Sequence, residues 1–128
     1  MGTIQHSALS ASERHEPKSV TLTASIPDIS TANTIYIPIP FAGSITKVTT
    51  VLFGAIATGD ATITVSDNAA NSMGTITVTQ SGSAAGDVDS LTPAANQDVT
   101  ANDFITVATD GASTNSVQLN VVVTLEVT

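Results

Sequence analysis

The chain of 128 residues has no cysteine and no tryptophan, and only three lysines and arginines. Without cysteine, disulfides and thiolate metal sites are excluded, and the redox compartment stays open. The cations are also confined: Arg14, Lys18 and Lys47 balance Glu13, Glu16 and Asp28, and no lysine or arginine follows Lys47. The whole net charge of −8 therefore lies in residues 48–128, on Asp60, Asp67, Asp87, Asp89, Asp98, Asp103, Asp110 and Glu126. A nucleic-acid binder neutralises phosphates with clustered cations, so this body is expected to be repelled by DNA and RNA. No apolar run approaches the ~18 residues of a membrane helix. The start, MGTIQHSALSASERHEPK, has no apolar core, so neither a secretory signal nor a membrane partner is expected.

Aromatics are scarce, namely Tyr36, Phe41, Phe53 and Phe104. A sugar-binding platform or a single-stranded nucleic-acid groove needs exposed aromatic rings. Tyr36 is the one candidate, whereas Phe53 and Phe104 lie in strand-like runs and are assigned to the core. The chain has no glycine-rich phosphate cradle and no nucleophile elbow. His6 and His15 both fall near the N-terminus, outside any element that could hold them beside a nucleophile or a carboxylate. No catalytic residue, metal or cofactor is expected, and the chain is read as a non-enzyme. Asp67 and Asn68 in SDNAANS, and Asp87 and Asp89 in GDVDS, carry oxygens that calcium could use. Neither stretch matches an EF-hand loop, and turn residues bonding their own backbone explain both more simply.

What is present is a two-residue period. In SVQLNVVVTLEVT, Val117, Leu119, Val121, Val123, Leu125 and Val127 alternate with mostly polar residues, which reads as a long strand with one buried face. Shorter strands follow the same pattern at Val20–Ile26, Ile35–Ile39, Ile63–Val65, Ile76–Val78 and Ile105–Val107. Ser44–Ile56 reads as one bulged strand whose apolar set is Ile45, Val48, Val51 and Phe53, with Gly54 marking a bend. Pro38 and Pro40 cannot donate to a ladder, so their strand belongs at an edge or leaves the sheet there. The repeated Thr-Ile-Thr-Val at 62–65 and 75–78 reads as an internal repeat or, more simply at four residues per copy, as a shared hairpin composition. Residues 79–103 form the longest stretch without a clear strand and are expected to be a surface excursion or a partner-contacting loop. Turns rich in Gly, Asn, Asp and Ser separate the strands. The expected fold is all-β, an antiparallel β-sandwich with a jelly-roll-like body over 19–128.

Residues 1–18 differ from the rest. Ser10 and Glu13 have capping-box spacing, and Pro17 would stop any helix within a turn or two. The segment is expected to be a flexible arm until something holds it.

The order SERHEPKSV, ASIPDISTANTIYIPIPFAGSITKV, FGAIATGDATITV and GTITVTQSGSAAGDVDSLTPAANQDVTANDFITVATDGAST resembles a group of tailed-bacteriophage head decoration, or capsid cement, proteins. The resemblance runs from about Ser12 to Val127. Its most specific pieces are HEPK (His15 to Lys18), QSGSAAGDVDS and TDGAST. It implies a virion location on the outer capsid surface, a homotrimer, and the major capsid protein as partner. The arm would then be the attachment device, with Arg14, His15, Glu16, Pro17 and Lys18 as capsid-binding residues. HEPK-like arms also suit head-fibre and tail-fibre proteins, so a host-adhesion module anchored by its arm is the alternative.

Overall fold

The computed structural model describes residues 18–128. These form nine antiparallel strands in two sheets. The strands are β1 (Ser19–Ile26), β2 (Asn33–Pro38), β3 (Gly43–Leu52), β4 (Ala61–Ser66), β5 (Ser72–Val78), β6 (Val88–Leu91), β7 (Asp98–Val99), β8 (Phe104–Thr109) and β9 (Leu119–Val127). The first sheet runs β1-β9-β3-β6, with β7 also on β3, and the second runs β2-β8-β4-β5. The all-β sandwich expected from the alternation is the observed architecture.

The two-residue period dictates the packing. Leu119, Val121, Val123 and Leu125 of β9 are fully buried, and Ile63, Val65, Ile105 and Val107 meet them from the second sheet in one core cluster. β-Branched side chains suit such a pleated, half-buried surface, and each residue turned inward alternates with one turned out. β9 is the centre of its sheet. It pairs with β1 from Ser19↔Glu126 to Ile26↔Leu119 on one side, and with β3 on the other.

The hairpin reading of the repeated tetrapeptide is correct. Thr62 faces Thr77, Ile63 faces Ile76 and Thr64 faces Thr75, and residues 67–71 make the turn. The proline reading is also correct: β2 is an edge strand that ends at Pro38, after which Ile39 N–H donates to Asp103 O at 2.9 Å.

Two expectations are corrected. The slip in β3 does occur, but it lies between Ile45 and Lys47, where the register against β9 skips Thr46. Past that bulge the inward residues are Val48, Thr50 and Leu52, whereas Val51 is only half-buried and Phe53 is 49% exposed. Val51 and Phe53 continue the phase of Ile45, which is the wrong one here because the one-residue bulge after Ile45 exchanges the faces. Residues 79–103 are likewise not a strandless loop, since β6 pairs with Val48–Val51 and β7 with Gly43–Ser44. These are two pieces of one broken edge along β3, and residues 92–97 bow out between them opposite the bulge. Gly43 makes the close approach possible at the start of β3. A Cβ there would run into the Glu126 carbonyl of β9.

Candidate functional site

Of the residues assigned to attachment, Arg14, His15, Glu16 and Pro17 lie outside the described residues. Lys18 is exposed at the entry to β1, where its carbonyl accepts the Val127 N–H at 2.7 Å. This places the point where residues 1–17 join the body at one end of the first sheet, beside Val127, Gly43 and Val99.

The same end of the second sheet carries a concave surface with side-chain chemistry. Along β2, Ile35 and Ile37 turn inward, so Tyr36 turns out and is 66% exposed. Along β8, Ile105 and Val107 turn inward, so Phe104 and Thr106 turn out. The register sets Tyr36 opposite Thr106, and Thr106 opposite Ser66 of β4. Tyr36 and Phe104 then meet diagonally, their ring centroids 5.4 Å apart and their planes at 65°. Such edge-to-face pairs are worth about 0.5–1.5 kcal/mol beyond the area they bury. A shallow cleft of about 250 Å³ opens beside them, lined by Tyr36, Ser66, Asp67, Asn68, Ala70, Phe104 and Thr106.

One wall of the cleft is a turn locked by its own side chain. Asp67 Oδ1 accepts the N–H of Ala69 at 2.9 Å and of Asn71 at 2.8 Å. The Asn71 N–H above all holds the Asp67 carboxyl below its ordinary value, outweighing the opposing effect of desolvation, with lesser help from the Asn71 side chain and the Ala69 N–H. Ala70 sits in the left-handed region at φ 68° to close the turn. Asn68 Nδ2 donates to Asp103 Oδ1 at 3.0 Å, and Asp103 Oδ2 accepts the N–H and hydroxyl of Thr100. Asp67 thus bonds its own backbone, as its turn composition implied. The site has no histidine, and its carboxylates are engaged in turns, so the arrangement offers binding groups and no nucleophile with a base.

The other acidic pair sits on the broken edge. Asp87 Oδ2 accepts the Ala84 N–H at 2.9 Å. Asp89 stands opposite Thr50 in the ladder, and partial burial, with the nearby Asp87 charge, pushes its carboxyl up. Thr50 is fully buried and its Oγ1 has no hydrogen-bond partner. Among the described residues no group of three or more His, Cys, Asp or Glu is placed to hold a metal ion.

The assignment of Phe53 and Phe104 to the core is corrected, for they are 49% and 37% exposed. For Phe104 the signal was in the sequence already. If Ile105 and Val107 face the core, strand alternation turns Phe104 out beside Tyr36. For Phe53 no such signal existed, because the position of the bulge set its face.

No protein-family model matches the chain, and no curated protein matches it in sequence. Solved structures do match in fold. A chain of the acidic stable capsid structure of Helicobacter pylori bacteriophage KHP30 aligns at a TM-score of 0.58 and 18% identity, over 85% of this chain and 87% of that one. A chain of the cyanophage Pam1 capsid asymmetric unit aligns at 0.55 and 18% identity, over 86% and 85%. What this chain shares with both is the sandwich fold.

Proposed function

We propose that the chain is a structural virion protein of a bacteriophage. It binds the outer surface of the capsid and stabilises the lattice by bridging major capsid protein subunits. The observation that carries this reading is the fold match to two phage capsid structures across 85% and 86% of the chain. It agrees with the sequence resemblance to head decoration proteins. The strand order supports it too. With the two-residue β7 set aside, β1-β9-β3-β6 against β2-β8-β4-β5 is compatible with the double Greek key of a jelly roll, an architecture common in viral capsid domains.

In this reading the division of charge has a use. A body without cations after Lys47 stays soluble and clear of nucleic acid. Residues 1–18 act as the attachment arm, with Arg14, His15, Glu16, Pro17 and Lys18 against the capsid. Proline fixes the direction of the chain there, and the flanking charges pair with charges on the lattice. Ordering an arm costs about 1–2 kcal/mol of backbone entropy per residue. A homotrimer offsets this by presenting three arms at high effective concentration. Binding the intact lattice and not the disrupted one then stabilises the lattice by mass action.

Deletion of residues 1–18 tests the proposal. The shortened chain is expected to keep its β-sheet circular dichroism and to stop co-sedimenting with capsids. Full-strength binding by the folded truncation would overturn the attachment role.

A further inference from the structure

The attachment role proposed above assigns nothing to the cleft on the second sheet. We propose that the Tyr36–Phe104 cleft binds a neutral saccharide, a single sugar ring or the terminal residue of a glycan. The inference goes beyond the decoration role and does not depend on it.

Three properties of the cleft select this ligand class. The first is the pairing of an open aromatic face with hydroxyl and amide groups. Tyr36 is 66% exposed beside Phe104, which leaves a ring for the C–H face of a pyranose. Around it stand the hydroxyls of Ser66 and Thr106, side by side in the ladder, and the side chains of Asp67 and Asn68. Neither hydroxyl bonds another described residue. With Nδ2 of Asn68 held by Asp103, its Oδ1 is left as an acceptor. Sugar hydroxyls both donate and accept, so they match such a ring of groups. An apolar peptide side chain would cover the same groups and leave them unsatisfied.

The second property is charge. The lining residues include no Lys, Arg or His, and Asp67 is held ionised by its turn. A phosphate, sulfate or carboxylate ligand would meet only a like charge, so acidic sugars are disfavoured.

The third is preorganisation. Tyr36, Phe104, Thr106 and Ser66 project from strands, and Asp67 and Asn68 belong to a turn braced by three backbone-to-side-chain or side-chain bonds. Little conformational entropy is lost when a ligand arrives. The volume, about 250 Å³, lies below the roughly 300 Å³ of the smallest drug-sized sites, which sets the size at one ring.

The chain reports on its own cleft. Tyr36 is the single tyrosine and there is no tryptophan, so tyrosine emission comes from this one ring. The full chain is titrated with the methyl glycosides of glucose, galactose, mannose, N-acetylglucosamine and N-acetylgalactosamine, and with glucuronic acid. It is also applied to a glycan array of neutral and acidic chains. A saturable change in Tyr36 emission with at least one neutral glycoside is expected, at roughly millimolar affinity. Phe104→Ala and Asn68→Ala, both checked for native circular dichroism, are expected to weaken it about tenfold each. Val88→Ala, on the opposite sheet, is expected to leave it unchanged. A response to glucuronic acid alone overturns the proposal, as does silence with every sugar on both platforms. So does binding that both cleft variants retain. A synthetic peptide of residues 8–18 is titrated in parallel. If it alone saturates the signal, the cleft belongs to the arm and the saccharide assignment fails.

Discussion

Each sheet buries one threonine, and the two are treated differently. Thr109, at the end of β8 in the second sheet, donates its hydroxyl to Ile29 O at 3.1 Å and accepts the Gly111 N–H at 3.4 Å. Thr50, inside β3 and paired on both sides in the first sheet, is fully buried with Oγ1 unpartnered. The same side chain ties a loop to the sandwich in one sheet and remains a polar defect in the other. The difference follows from position. Thr109 lies where its strand ends and loop carbonyls come within reach. Thr50 lies within a ladder whose carbonyls already serve the neighbouring strands, opposite Val121 on one side and Asp89 on the other. The sheet with the broken edge also holds the unsatisfied hydroxyl, whereas the second sheet, whose own register shift lies between Val65 and Ser66 at the end of β4, carries the cleft on its outer face.

The largest expected effect checks what the two sheets have in common. Leu125 of the first and Ile63 of the second are both fully buried in one cluster. Leu125→Ala and Ile63→Ala are each expected to cost about 2–5 kcal/mol in denaturant unfolding. A cost below about 1 kcal/mol for either, close to that of a surface change, would mean that the sheets do not share a core.

The threonine pair then breaks or sharpens the contrast directly. Thr109→Val strips the bonds to Ile29 and Gly111 and is expected to cost about 1–3 kcal/mol. Thr50→Val replaces an unpartnered hydroxyl with a methyl of similar shape and is expected to be neutral or to stabilise by about 1 kcal/mol. Equal losses from the two variants, measured by thermal unfolding, would show that Thr50 does find a partner in solution.

The smallest effect concerns the wall of the cleft. The Asp67 carboxyl is held below 3.8 by the Asn71 N–H first of all. A lowered folded value means that its contribution to stability is present above 3.8 and is lost as the pH falls through the folded value. Asp67→Asn is expected to lower Tm modestly at pH 7, and the gap to the parent should close as the pH drops below 3.8. A gap that widens on acidification would contradict the stated role of the carboxylate.

Much of this was legible in the residues. The alternation of β9, the Thr-Ile-Thr-Val hairpin and the terminating prolines each rest on a local rule that tertiary context did not override. The bulge and the broken edge were not legible, for different reasons. A bulge is one residue of slip, and Thr46 differs from its neighbours in no way that marks it as the skipped position. β6 and β7 have four and two residues, too few to show a period, and they fall within 79–103, where GDVDS reads as a turn. They are strands because β3 offers them backbone groups, a property of the partner and not of their own sequence. The cleft was half visible. Tyr36 and the Asp67 turn could be named from their residues, but Phe104 joined them only once the register of β2 against β8 was known.

The position of β9 also sets a timetable. β1 has one partner in its sheet, and the paired residues Ser19 and Glu126 lie far apart in the chain. At translation rates of about 5–20 residues per second, the interval between them is roughly 5–20 s. During that time β1 waits with both backbone edges bare, and β3 has only the short pieces of β6 and β7 to hold. The alternating Ser19, Thr21, Thr23 and Ser25 of β1 keep such a waiting strand half polar, a composition that resists pairing with other nascent chains. β9, the last of these nine strands to be made, closes the sheet, and folding of the sandwich is therefore a late, long-range event.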